Sequence, residues 1–162
     1  MHSNARLLFQ KYAVPLIPEK SKVLEVGPSK GNTILRDMLP QPDYHYCDIK
    51  NFEKGPGQIR MQGGYRIMAA DSAFDVVFAA QVIEHVDRPW LWIPELTRVA
   101  AKLVIILCPV SYVYHPGPLD CWRIFSDGMR VLFTDAGLAI RLCTHESLDG
   151  KETDTIAIGE KL

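Results

Sequence analysis

The residues able to do chemistry fall into two groups along the 162-residue chain. The first follows the apolar run "KVLEV": Gly27 and Gly31 bracket "GPSKG", and Asp48 stands 21 residues beyond Gly27, at the end of "DYHYCDI". Glycine after a strand allows a sharp turn and lets backbone approach a ligand with no Cβ in the way. An acid at the end of the next strand can take both hydroxyls of a ribose. Each feature alone is common, but in this order and spacing they read as a ligand loop and its acidic partner. The second group can move protons: His85, after "FDVVFAA", and His115 and Asp120, in the polar and aromatic stretch "SYVYHPGPLDCWRIF". Histidine and carboxylate are common general bases. His85 reads equally well as a residue that caps a helix or bonds the backbone. Asp120 and Arg123 read first as an ion pair fixing their loop, with Arg123 as a planar fork for an anionic group as the alternative.

These groups need a frame to bring them together. "SNARLLFQKYAVPLI" has helical spacing with Ser3 as a cap and prolines at its end, "KVLEVG" is a short strand, and "NTILRDML" starts a helix at Asn32 or Thr33 that Pro40 and Pro42 close. "DYHYCDI" is an aromatic strand, and Asn51 to Ala70, with four glycines, reads as loop with one short strand near "QIRMQ". "FDVVFAA" and "KLVIILCPV" are apolar throughout, as strands buried on both faces of a parallel sheet must be. Between them "RPWLWIPELTRVA" is helix-like, with Pro94 expected to kink or restart it. "SDGMRVLFTDAG" is a helix capped by Ser126 and stopped at Gly137, and "LAIRLCTHE" and "TDTIAIGE" form a strand pair turning at Asp149-Gly150. Strands alternating with helices predict an α/β fold: a doubly wound, mostly parallel sheet with an antiparallel C-terminal strand and trimmed helices in the middle. The chain reads as one domain, residues 1–20 a helical segment and 21–162 the α/β core.

Composition removes several function classes. Formal charge is -1, with 18 basic and 19 acidic residues spread along the chain, so a nucleic-acid partner is not favoured. The longest apolar run, "LVIILCPV", is far shorter than the roughly 20 residues that span a bilayer, and no leader-like start is visible. Cys47, Cys108, Cys121 and Cys143 show no C-x-x-C spacing, so a reduced, cytoplasmic protein without a cysteine-based zinc site is expected.

The ligand is narrowed by what the loop lacks. A dinucleotide loop wants G-x-G-x-x-G, and this chain offers Gly27, Ser29 and Asn32; no G-x-x-x-x-G-K-[ST] is present. What fits is acid-x-Gly-x-x-x-Gly, as Glu25, Gly27 and Gly31. This resembles the first motif of the class I S-adenosylmethionine-dependent methyltransferases. Asp48, "FDVVFAAQVIEHVDRP" and "HPGPLDCWRIFSDGMRVLFTDAGL" resemble further blocks of that family's small-molecule branch, so that the likeness runs from Val23 to about Leu138. The resemblance implies S-adenosylmethionine as cofactor and a small polar acceptor, with a sugar or glycosyl precursor among the candidates. It implies that Glu25, Gly27, Pro28, Ser29, Gly31, Asp48, Ile49, Gly64 and Gln81 line the cofactor site. His85, His115 and Asp120 remain the candidates for the chemistry, and Tyr114, Trp122 and Arg123, in the loop that should hang over the cofactor, those for the acceptor. Ser29 departs from a usual glycine, and "MQGGYR" offers no acid for the adenine amino group, leaving backbone, Tyr65 or Met61. Some relatives bind a divalent ion through Glu-x-x-Glu-His and a later His; here Gln81 replaces the first carboxylate of Gln81-x-x-Glu84-His85, so no metal is expected. With no extra substrate domain, the acceptor pocket has to come from the N-terminal helix, the His115 loop or a second subunit, which leaves a homodimer open. The competing reading is an inactive methyltransferase-like scaffold, favoured by the shortened Asn51–Ala70 segment.

Overall fold

The structure, a computed structural model, describes residues 3–28, 35–49 and 55–162. Eight strands and three α-helices are described: α1 (Ser3–Leu8), β1 (Lys22–Val26), β2 (Asp43–Cys47), β3 (Met61–Gln62), β4 (Arg66–Ile67), β5 (Phe74–Ala80), α2 (Pro89–Val99), β6 (Ala100–Pro109), α3 (Ser126–Asp135), β7 (Leu138–Glu146) and β8 (Asp154–Lys161). The main sheet has the order β2-β1-β5-β6-β8-β7. Its β2, β1, β5 and β6 are parallel, while β8 runs antiparallel to both β6 and β7. The expected doubly wound sheet with an antiparallel closing strand is the one observed.

Two apolar layers explain why β5 and β6 carry no polar alternation. On one face Val77, Ala79, Val104 and Ile106 pack with Trp92, Ile93 and Leu96 of α2 and Met129 and Phe133 of α3. On the other, Val76, Phe78, Ile105 and Leu107 meet Ala5, Leu8, Phe9 and Ala13 of the N-terminal helix. Successive strand residues point to opposite faces, so a strand covered on both sides must be apolar at every position. Each such fully buried side chain contributes about 1.5–3 kcal/mol. The N-terminal helix is longer than α1 alone: a wider turn over Phe9–Ala13 and a 3₁₀ turn over Val14–Leu16 carry it on to Leu16.

Three local expectations differ. α2 continues through Pro94 as one helix and does not restart there. Proline removes the bond to the carbonyl four residues back, and that residue, Trp90, is on the exposed side, where water can replace the lost donor. Ser126 is not the cap of α3; Phe125 holds that position with no side-chain cap, and the Ser126 hydroxyl instead meets Nδ1 of His145 on β7 at 2.9 Å. Of "NTILRDML", the expected caps Asn32 and Thr33 lie outside the described residues, and the described part is a single 3₁₀ turn, Arg36–Met38.

The segment between β2 and β5 is pared down as expected. Outside β2 the main sheet gains one parallel bridge among the described residues, Tyr46 to Gln58. β3 and β4 form a separate two-stranded hairpin, and no helix is described there. Side chains of α2 hold this hairpin where a strand ladder would otherwise do so. Glu95 Oε1 accepts from Ile67 N–H at 2.7 Å, and Arg98 donates to the carbonyls of Ile67 and Ala69, each at 2.9 Å.

Candidate active site

Because β1, β2, β5 and β6 are parallel, their carboxyl ends share one edge. From β1 the chain goes to β2 on one side, and β5 lies on the other, which makes that edge a topological switch point. The loop after β1 enters this crevice at Gly27. Its φ is +73°, its N–H donates to Cys47 O at 2.8 Å, and an added Cβ would lie 2.7 Å from Val82 Cγ2. A side chain is therefore excluded twice, by backbone conformation and by contact. Pro28 follows, half-buried, while Ser29 and Gly31 lie outside the described residues.

Beyond β2 the second rim takes shape. Asp48 is half-buried and Ile49 is 63% exposed. Gly64, at φ +76°, lies so close that a Cβ would come within 2.9 Å of Ile49 Cδ1, so the structure brings these two candidates together. Glu25 is buried on β1, accepting from the Tyr44 hydroxyl at 2.6 Å, and burial pushes its carboxyl up to about 7. Of Tyr65 and Met61, considered for adenine, the Tyr65 hydroxyl bonds Asp87 and Met61 is buried.

The other end of the crevice follows β5. Gln81 leaves the strand at φ +60°, and its amide donates to Asp154 Oδ1 at 3.0 Å. Asp154 is itself buried and held by Asn4 Nδ2 at 2.7 Å, so the N-terminal helix braces this turn. Neither Asn4 nor Asp154 carries a motif that would have singled it out. The "VIEHV" segment forms a 3₁₀ turn, Ile83–His85. Within it Glu84 is 1% exposed, and neither carboxylate oxygen has a hydrogen-bond partner among the described residues. Burial raises its carboxyl to about 8. His85 Nε2 lies 3.8 Å and His115 Nε2 3.9 Å from Glu84 Oε1, and the two rings stand edge to face with centroids 5.0 Å apart.

The His115 loop is folded over this cluster by its own side chains. Its backbone is tied to the 3₁₀ turn through Cys121 N–H, which donates to Glu84 O at 2.7 Å, and the Trp122 indole donates to Val86 O at 2.8 Å. Arg123 donates to the carbonyls of Tyr112, Val113 and Trp122 and to both oxygens of Asp120, at 2.6 and 2.9 Å. That uses all five N–H donors of a guanidinium, so the acceptor-gripping role gives way to loop fixing. Asp120 is tied up in the same way. Its side chain is fully enclosed, it also accepts from His115 N–H at 2.7 Å, and the Arg123 guanidinium holds it well below the usual carboxylate range. In this arrangement it orients the His115 loop. Tyr114 is 75% exposed at the loop's outer surface.

No protein-family model matches the chain. A protein from Mycobacterium bovis described as an uncharacterized methyltransferase is 30% identical over 79 residues, which is 49% of this chain but only 30% of that protein's length. Among solved structures, a SAM-dependent methyltransferase from Aquifex aeolicus superposes with a TM-score of 0.72 at 17% identity, covering 98% of this chain and 90% of that one. A methyltransferase structure from Bacillus halodurans gives 0.71 at 11% identity, covering 99% of both chains. Identities this low speak to architecture, and the architecture agrees over nearly the whole chain. The protein therefore has the Rossmann-like fold of the class I S-adenosylmethionine-dependent methyltransferases.

Proposed function

We propose that the chain is an S-adenosylmethionine-dependent methyltransferase acting on a small polar acceptor. The observation that supports this most is the placement of Gly27, pressed against Val82 at the switch point with its N–H on Cys47 O, one residue before Asp48. The residues suit the cofactor. Backbone around Gly27 can meet the methionine part, Asp48 can take ribose hydroxyls, and exposed Ile49 offers an apolar platform to a flat base. S-adenosylmethionine bound there supplies a sulfonium-activated methyl group for in-line displacement. The chain's own task is to hold the acceptor atom about 3 Å from that carbon and aligned with it, which can account for several kcal/mol of the barrier. Glu84, His85 and His115, next to the Val82 that packs on Gly27, are the groups an acceptor hydroxyl or amine would meet. A sugar or glycosyl precursor is the class to screen first.

A second reading, a methyltransferase-like scaffold without activity, draws on the reduced ladder outside β2, where Tyr46 to Gln58 is the one described bridge. Calorimetric titration with S-adenosylmethionine and S-adenosylhomocysteine separates the two. Micromolar binding that Asp48→Ala weakens supports the enzyme and opens an acceptor screen; no binding at millimolar ligand sinks it and leaves the scaffold.

A further inference from the structure

We propose that Glu84, His85 and His115 form a binding site for one divalent transition-metal ion. The three offer one donor atom each, all within 4.8 Å of one another. Such an ion bonds imidazole nitrogen and carboxylate oxygen at about 2.0–2.2 Å, so a small inward turn of these side chains brings all three donors onto a single ion.

Two features of the surroundings point to a cation. First, Glu84 is almost completely buried with both oxygens lacking a hydrogen-bond partner among the described residues. Buried polar groups are nearly always partnered, and an orphaned carboxylate calls for an explanation. The histidines do not supply it directly, since 3.8 and 3.9 Å are too long for hydrogen bonds. Second, both rings are already tied at Nδ1. His85 Nδ1 lies 2.5 Å from Leu119 O, and His115 Nδ1 lies 2.9 Å from Val113 O and 3.4 Å from Asp120 Oδ2. A ring whose Nδ1 donates to oxygen presents a bare lone pair at Nε2, as metal-ligating histidines do. Two imidazole lone pairs and a buried carboxyl group then face one point, which is a ligand set for an ion.

Gln81 is not part of it, because its amide is engaged by Asp154. The sequence argument against a metal rested on glutamine in place of a first carboxylate; with Gln81 turned away, two nitrogens and one oxygen remain. That set suits zinc, cobalt, iron or manganese better than magnesium or calcium, which prefer all-oxygen shells. Three protein ligands leave open positions. On the methyltransferase reading, an acceptor oxygen can fill one of them and lose its proton more readily there.

The test is titration of chelator-treated protein with Co²⁺, followed by its visible absorption, and with Zn²⁺ by calorimetry, both without S-adenosylmethionine. We expect one ion per chain and at least a tenfold loss of affinity in each of Glu84→Gln, His85→Ala and His115→Ala, with circular dichroism unchanged. The two histidines are only partly buried, so their variants remain informative should the glutamate variant fold poorly. Absence of saturable binding, or binding that the histidine variants leave unchanged, overturns the site. Binding that needs the histidines but is untouched in a folded Glu84→Gln overturns it too, as a two-histidine surface site. Because this titration needs no S-adenosylmethionine, and cofactor binding can be measured on chelated protein, either reading can fail alone.

Discussion

The two ends of the crevice are built on different principles. At the β1–β2 rim the described candidate groups are a glycine backbone, a half-buried acid and an exposed Ile49, and shape is what the chain fixes there, Gly27 against Val82 and Gly64 against Ile49. Beyond β5 and β6 the working groups are side chains locked by other side chains: Arg123 on Asp120, Asp120 on His115, Asn4 on Asp154 and Asp154 on Gln81. The first end can be damaged by adding an atom, the second by removing one. Four measurements sharpen that contrast.

The largest effect is expected from Arg123→Ala. It strips the carbonyls of Tyr112, Val113 and Trp122 of their donor and leaves an enclosed Asp120 carboxylate without its cation. Breaking a buried pair from one side costs about 3–5 kcal/mol, so urea unfolding should show a loss of that order. Arg123→Lys should recover only part of it, because an ammonium cannot reproduce the fork.

Next comes a pH effect at the glycine end. The Glu25 carboxyl is raised by burial from 4.5 to about 7, so the folded state holds a proton that the unfolded chain releases. Its stabilising contribution is present below pH 4.5 and is lost as pH rises towards 7. A shift of this size is worth on the order of 3 kcal/mol. Thermal melts of wild type and Glu25→Gln across that window should diverge; parallel curves would place the ionised form comfortably on Tyr44.

Gly27→Ala should cost about 1–3 kcal/mol from the positive φ, with a further contribution from the Val82 contact. Combining it with Val82→Ala should return the contact part alone, read as a double-mutant cycle in chemical denaturation. Asp48→Ala is read in binding rather than in stability: its S-adenosylmethionine affinity should fall roughly 10–100-fold, the worth of a charged hydrogen-bond acceptor. A variant that binds the cofactor normally would remove Asp48 from the site.

Much of this could be read from residue order. The buried strands declared themselves by unbroken apolar runs, Gly137 marked the end of α3, and Gly27 with Asp48 marked the rim, because each is a local requirement written at one position. The cap at Ser126 and the break at Pro94 did not appear as read. A distant partner, His145, claimed the hydroxyl, and α2 continues as one helix across Pro94. The role of Glu84 was not legible either. "VIEHV" does not say that a loop thirty residues later will enclose its glutamate and bring His115 against it.

What the sequence determined by itself was the order of elements, the two-faced burial of β5 and β6 and the glycine turn, since periodicity and backbone freedom act over a few neighbouring residues. Only the tertiary structure decided which polar groups meet. Burial, orphaned oxygens and the distances among Glu84, His85, His115 and Asp120 depend on segments far apart in the chain, and no local pattern encodes a separation in space.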